Sequence, residues 1–294
     1  MYYYKIADLF LQIDGDWPQI GIGRMKDYRI EGLPEGKTAD IRYQIRQECE
    51  DIAVPNMTDC VEVNKRLWMH TADGGCAMVD RVPEFSEKII NCIRTNEDWS
   101  QISGELCRED FCGLDKNMRA FNVVGETFPY VLHRHGGMVL HASCIMYKGQ
   151  AVLFSARSGT GKSTHTRLWK KYYPETLIIN DDLPAIRLKD DGNGSTTAYA
   201  YGTPWCGKTQ TNENVSAPIR AIVFLNQAPE NSLRRLNGAE AAFRLLEGIR
   251  RPVLADMMQK SLDAAAEMVS VVPTYELNCT ISREAVDLVK TELF

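Results

Sequence analysis

The sequence predicts an α/β fold: a mixed, partly antiparallel sheet with flanking helices, preceded by a smaller N-terminal α+β region. Three observations predict it. Residues Ala151 to Ile186 read as strand, phosphate-binding loop, helix and a second strand that ends in Asp181-Asp182. Met138 to Tyr147 reads as a strand that Lys148-Gly149-Gln150 turns back into the next, an antiparallel pair that a purely parallel sheet would not contain. From Met1 to about Asp110 the signals are short and β-rich.

Composition bounds the rest. The chain has 294 residues, 44% hydrophobic and 25% charged, with a net charge of −5. That is globular chemistry, and the acidic balance argues against a general nucleic-acid binder. Nine cysteines occur without a C-x-x-C pair, which reads as reduced thiols. No apolar run reaches transmembrane length, and the start lacks a basic-then-apolar leader. The expectation is therefore a cytoplasmic protein that engages no membrane.

Taken in order, Tyr2–Leu11 and Leu67–Val82 carry strand-like runs, with Thr71–Gly75 as a hairpin turn in the second. Ser86–Thr95 is expected to be a helix capped by Ser86. Trp17, Trp68 and Trp99 read as core anchors. A change of organisation is expected near 100–115, giving domains 1–112 and 113–294. Asp115–Arg134 reads as a helix, because Met118, Phe121, Val124 and Phe128 recur at helical spacing. His133 and His135 lie two apart at its end and face different ways, with no further ligand at metal spacing, which argues against zinc. Further on, Pro184–Leu188 and Thr196–Tyr201 form a hairpin, and Ile219–Leu225 a strand. Gly238–Ile249 and Val253–Met268 are helices, Val271–Leu277 is a strand, and Ser282–Leu293 is a helix capped by Ser282.

The chemistry concentrates in Ala156–Ser163, a Walker A sequence with Ala in the first glycine position. Gly159 and Gly161 let the backbone turn its N–H groups toward phosphate oxygens, with Ser158 and Thr160 between and before them. The helix that follows adds its positive end. Lys162 reaches the β/γ phosphates, the Ser163 hydroxyl binds Mg²⁺, and Thr164 completes the loop. Of the acidic pair, one carboxylate can serve the metal and the other can take a proton from an acceptor hydroxyl. Tyr201–Lys208 is a shaped loop in which Lys208 can meet a phosphate and Trp205 can line a pocket.

These residues resemble the HPr kinase/phosphorylases and, more distantly, ATP-dependent phosphoenolpyruvate carboxykinases. HPr kinases carry a histidine fifteen residues before the loop's first position, as His141 stands before Ala156, and an Asp-Asp pair after the next strand. The run Ser158–Thr164 also looks like the carboxykinase loop. The resemblance implies that Lys162 stabilises the transferred phosphoryl, that Ser163 holds Mg²⁺ with Asp181 near it, that Asp182 accepts the proton, the roles of the two aspartates being exchangeable, and that His141 contacts the phosphate region. The second HPr kinase signature, with a Glu and an Arg-Gly, has no counterpart in Tyr201–Lys208.

The expected function is an ATP-dependent phosphotransferase acting on a Ser-like hydroxyl of a protein, peptide or small molecule. The N-terminal region would be the place for substrate docking, and a homo-oligomer stays open. The rival is a non-catalytic ATP-binding regulator.

Overall fold

The structure, a computed structural model, describes residues 1–294 except 57–59, 83–84, 110–114, 191, 193 and 251–252. It divides into two compact units, Met1–Val131 with Pro252–Met258, and Leu132–Arg251 with Gln259–Phe294. The boundary expected at 112–113 lies outside the described residues.

The first unit is built on strands β1 (Tyr2–Ile6), β2 (Leu9–Gly15), β3 (Arg29–Ile30), β4 (Ile41–Cys49), β5 (Val61–Val63), β6 (Arg66–His70), β7 (Cys76–Val82), β8 (Phe85–Thr95) and β9 (Gln101–Cys107). They form one sheet in the order β3-β1-β2-β4-β9-β8-β7-β6-β5. A short helix α1 (Gln19–Arg24) and the start of α2 (Lys116–Arg134) accompany it. The β1–β2 turn passes through Ala7 and Asp8, both at left-handed φ, a tight hairpin that the unbroken apolar reading of Tyr2–Leu11 did not reveal. Trp17, Trp68 and Trp99 are all buried. Trp68 and Trp99 both pack on Tyr130 of α2 with ring centroids 5.4 Å apart.

Ser86–Thr95 is a strand, not a helix. Ile89, Ile90, Ile93 and Thr95 are β-branched, and β8 is laddered between β7 and β9, so cross-strand packing overrides the helical spacing.

The second unit contains β10 (Gly137–Val139), β11 (Ala142–Tyr147), β12 (Gln150–Ser155), α3 (Lys162–Tyr172), β13 (Leu177–Asn180), β14 (Ala185–Asp190), β15 (Thr196–Tyr201) and β16 (Ser216–Gln227). There follow β17 (Ser232–Arg235), α4 (Gly238–Gly248), most of α5 (Ala255–Val271), β18 (Thr274–Cys279) and α6 (Arg283–Leu293). Its sheet runs β10-β14-β15-β16-β12-β11-β13, with β18 on β16 and β17 on β18. β12 pairs parallel with β16 and β16 with β18, while β11 is antiparallel to both β12 and β13. The sheet is therefore mixed, as expected.

Alternation along β12 shows why it sits in the middle. Leu153 joins one core with Leu140, Phe224, Leu245 and Met268, under α4 and α5. Val152 and Phe154 join the other with Trp169, Val223, Val286 and Val289, under α3 and α6. Both faces of the strand are thus covered.

One expected element is divided. Met138–Tyr147 is two strands, because the backbone between them is taken elsewhere. Leu140 N donates to Pro184 O at 3.2 Å, and His141 N donates to Gly248 O at 2.8 Å. His141 therefore stands at a bend just before β11 rather than on the strand. The bend sits at the same sheet end as the phosphate-binding loop.

Candidate active site

The topology brings three chain segments to one end of the second sheet. β12 runs into the loop, and β13 runs the same way and delivers the acidic pair. β11 runs oppositely and begins just after His141. Ligands of such sheets bind outside the carboxyl ends of the strands. Gly159 and Gly161 both take positive φ, at 81° and 110°, while Ala156 keeps an ordinary backbone, so alanine in the first position is harmless. Gly161 is the N-cap of α3 and no side chain caps that end, so the first-turn amides face the loop's concavity.

A cleft of about 620 Å³ lies over this end. It is lined by Ser158, Gly159, Gly161, Lys162, Ser163 and Thr164 from the loop, and by His141, Asp181, Asp182 and Lys208 from the facing segments. Thr160 faces the adjoining cavities instead. Every acid, base and loop residue singled out from the sequence therefore lies at this one end of the sheet. Trp205 does not line the cleft; it is buried.

Lys162 is buried, and its Nζ donates to Ala156 O at 3.1 Å and lies 3.1 Å from His141 Nε2. Burial pulls its pKa down, and Asp182 and then Asp181 oppose that pull. His141 Nε2 is also 3.2 Å from Asp182 Oδ1. One nitrogen cannot serve both. Bare, it accepts from the ammonium; protonated, it donates to the carboxylate.

The two aspartates differ in access. Asp181 is 7% exposed. Its Oδ1 accepts from Ser143 Oγ at 2.7 Å and its Oδ2 from Thr209 Oγ1 at 2.8 Å. The Asp182 side chain is 33% exposed and faces His141. Gly207, at φ 67°, presses on it: a Cβ there would lie 3.0 Å from Asp182 Oδ2. Only glycine allows that approach.

Sequence reasoning passed over the residue that shapes this corner. Asn180 is fully buried, and its Oδ1 accepts from Asp182 N at 2.8 Å and Leu183 N at 2.7 Å. Its Nδ2 donates to Thr203 O at 2.9 Å and Thr203 Oγ1 at 3.1 Å. The amide thus fixes the acidic turn to the Thr203–Trp205 loop. An Asn directly before an Asp pair at a strand end is the available signal. Ser143 and Thr209 were missed too; nothing in their local sequence marks them.

The donor set fits a magnesium ion brought in with phosphates. Ser163 and the acidic pair line the same cleft, all through oxygen, and Mg²⁺ uses one or two protein oxygens plus phosphate and water. Asp181 retains lone pairs beyond the two hydroxyl bonds it accepts. Among the described residues no group of three or more His, Cys, Asp or Glu is arranged to hold a metal alone.

Residues 107–290, well over half of the chain, match the family model described as SynChlorMet cassette protein ScmC. The chain belongs to this family. The matched span holds the loop, the acidic pair and His141. No curated protein matches the chain. Among solved structures, the Hpr(Ser) kinase/phosphatase from Coxiella burnetii is similar at 13% identity and a TM-score of 0.28, over 53% of this chain and 95% of that one. At that level the likeness speaks to neither substrate nor reaction, and the family shown is ScmC rather than the HPr kinases.

Proposed function

We propose that this ScmC family member is an ATP-dependent phosphotransferase that moves the γ-phosphoryl of Mg·ATP to a Ser-like hydroxyl on a protein, peptide or small molecule. One observation carries the reading: a buried loop lysine, a histidine and a solvent-reachable carboxylate stand within 3.2 Å of one another in sequence, Lys162 to His141 to Asp182, over a phosphate-binding loop.

Loop amides and Lys162 hold the triphosphate. Mg²⁺ on Ser163 and Asp181 would neutralise the phosphate charge. The acceptor oxygen attacks Pγ, the Pγ–O bond to the β-phosphate breaks, ADP leaves, and the hydroxyl proton passes to Asp182. Asp182 suits this role better than Asp181, because its carboxylate is open to an incoming acceptor whereas Asp181 is buried. When Lys162 turns to phosphate, His141 with its proton on Nε2 is free to donate to Asp182 and hold it toward the acceptor.

The test is labelled ATP with the full chain and a cell extract, wild type against Asp182→Asn. Label should reach an acceptor in the wild type and fall by about 100-fold or more in the variant, the range of a positioned general base, with ATP affinity kept. ATP bound by both proteins with no acceptor ever labelled would instead favour the regulator.

A further inference from the structure

Beside the catalytic cleft, on the α3 face, lies a second cavity of about 450 Å³. Gly159, Gly161 and Thr164 line both, so the two adjoin at the loop. Its wall also includes Leu168 of α3, Gln227 at the end of β16, Ala228 just after it, and Thr280 and Ile281 after β18. The size falls within the roughly 300–1,000 Å³ of small-molecule sites.

Its chemistry is unlike that of the cleft. No carboxylate and no lysine or arginine lines it. Ile281 is 77% exposed, the highest value among the exposed large apolar side chains described. An isoleucine in that condition at the mouth of a cavity offers an apolar face with nothing yet on it. Its position is fixed all the same. Thr280 N donates to Asn231 Oδ1 at 2.8 Å, and Ser282 caps α6 immediately after. Gln227 Nε2 donates to Thr160 O at 3.1 Å, tying this wall to the loop.

Topology gives the direction. The acids and His141 stand on the β11–β13 side of the loop, where the terminal phosphate would lie. The cavity stands on the β16–β18 side, past the start of α3. A nucleotide whose γ-phosphate faces Asp182 would carry its sugar and base away from the acids, toward this side of the loop.

We propose that this cavity holds the nucleobase and ribose of the nucleotide, with the base between Leu168 and Ile281. The assignment rests on the ATP reading above and adds to it the residues that distinguish a nucleotide from bare polyphosphate.

Inorganic tripolyphosphate is the discriminating probe. Calorimetry with the full chain and Mg²⁺ would compare ATP and tripolyphosphate on wild type, Ile281→Ala and Ala228→Trp. The exposed position of Ile281 makes its variant safe for folding; the second fills the cavity. Expected are a three- to tenfold loss of ATP affinity in Ile281→Ala, a larger loss in Ala228→Trp, and unchanged tripolyphosphate binding in both. Unchanged ATP binding in both variants, or equal losses for both ligands, overturns the base site and leaves the kinase reading standing. A wild type that binds neither ligand overturns both.

Discussion

Asp182 owes its position to two neighbours that contribute no charge. Asn180 holds its backbone, and Gly207 leaves room for its carboxylate. Adding one methyl at Gly207 has two costs. The left-handed φ of 67° strains any L side chain by about 1 kcal/mol. The Cβ would also push Asp182 Oδ2 by tenths of an ångström, and misplacement on the order of 1 Å can cost about 100-fold in rate. Gly207→Ala is therefore expected to lower phosphoryl transfer at least tenfold while nucleotide affinity changes little, because the loop that binds phosphate is untouched. A kcat against KM split checks this: a rise in KM alone would show that Gly207 shapes binding instead.

Helix α3 is fastened to β12 through His165. The ring lies 4.6 Å from that of Phe154, and Nε2 accepts from Trp169 Nε1 at 3.2 Å. An indole N–H only donates, so the imidazole is neutral with its proton on Nδ1. Burial pulls its pKa from 6.5 to about 4. Lowered in the fold, this pKa gives stability that is complete above pH 6.5 and is lost as pH falls toward 4. At pH 5 the loss from this group is about 2 kcal/mol. His133, also pulled down by burial, works in the same direction. Urea denaturation at pH 7 and pH 5 should show this drop, and His165→Gln, whose side-chain oxygen can still accept from Trp169, should remove most of it. An undiminished drop in the variant would assign the acid sensitivity elsewhere. At this scale much was legible in the sequence. α3, β12, β13 and α6 declare themselves through Gly161, the apolar runs Val152-Leu153-Phe154 and Leu177-Ile178-Ile179, and the cap at Ser282. Ser86–Thr95 did not, because its strand identity comes from β7 and β9, far apart in sequence. The break at Leu140–His141 was hidden too: its cause is a carbonyl at Gly248, more than a hundred residues away.

At the scale of the molecule, both the loop and the acids belong to one unit, Leu132–Arg251 with Gln259–Phe294, which has its own two-sided core. The other unit has a separate apolar cluster of Leu67, Met69, Ala77, Val79 and Cys92. A ligand stabilises only the structure that must be intact to bind it, by about 2.7 kcal/mol at a hundredfold excess over Kd. Mg·ATP should therefore slow amide exchange in Gln150–Tyr172, in Leu177–Asp182 and at the wall residues Gln227, Ala228, Thr280 and Ile281, each part of the nucleotide-holding unit. Amides of β4 and β9, which belong to the other sheet, should exchange as before. Lys162→Met should abolish the protection while leaving the ligand-free exchange pattern of both sheets in place, since its ammonium bonds only Ala156 O of the loop and His141 at the cleft, and no strand of either sheet. Protection that appeared first in β4 and β9 would mean that the nucleotide is held by the N-terminal sheet, contrary to the site built on Lys162 and Asp182.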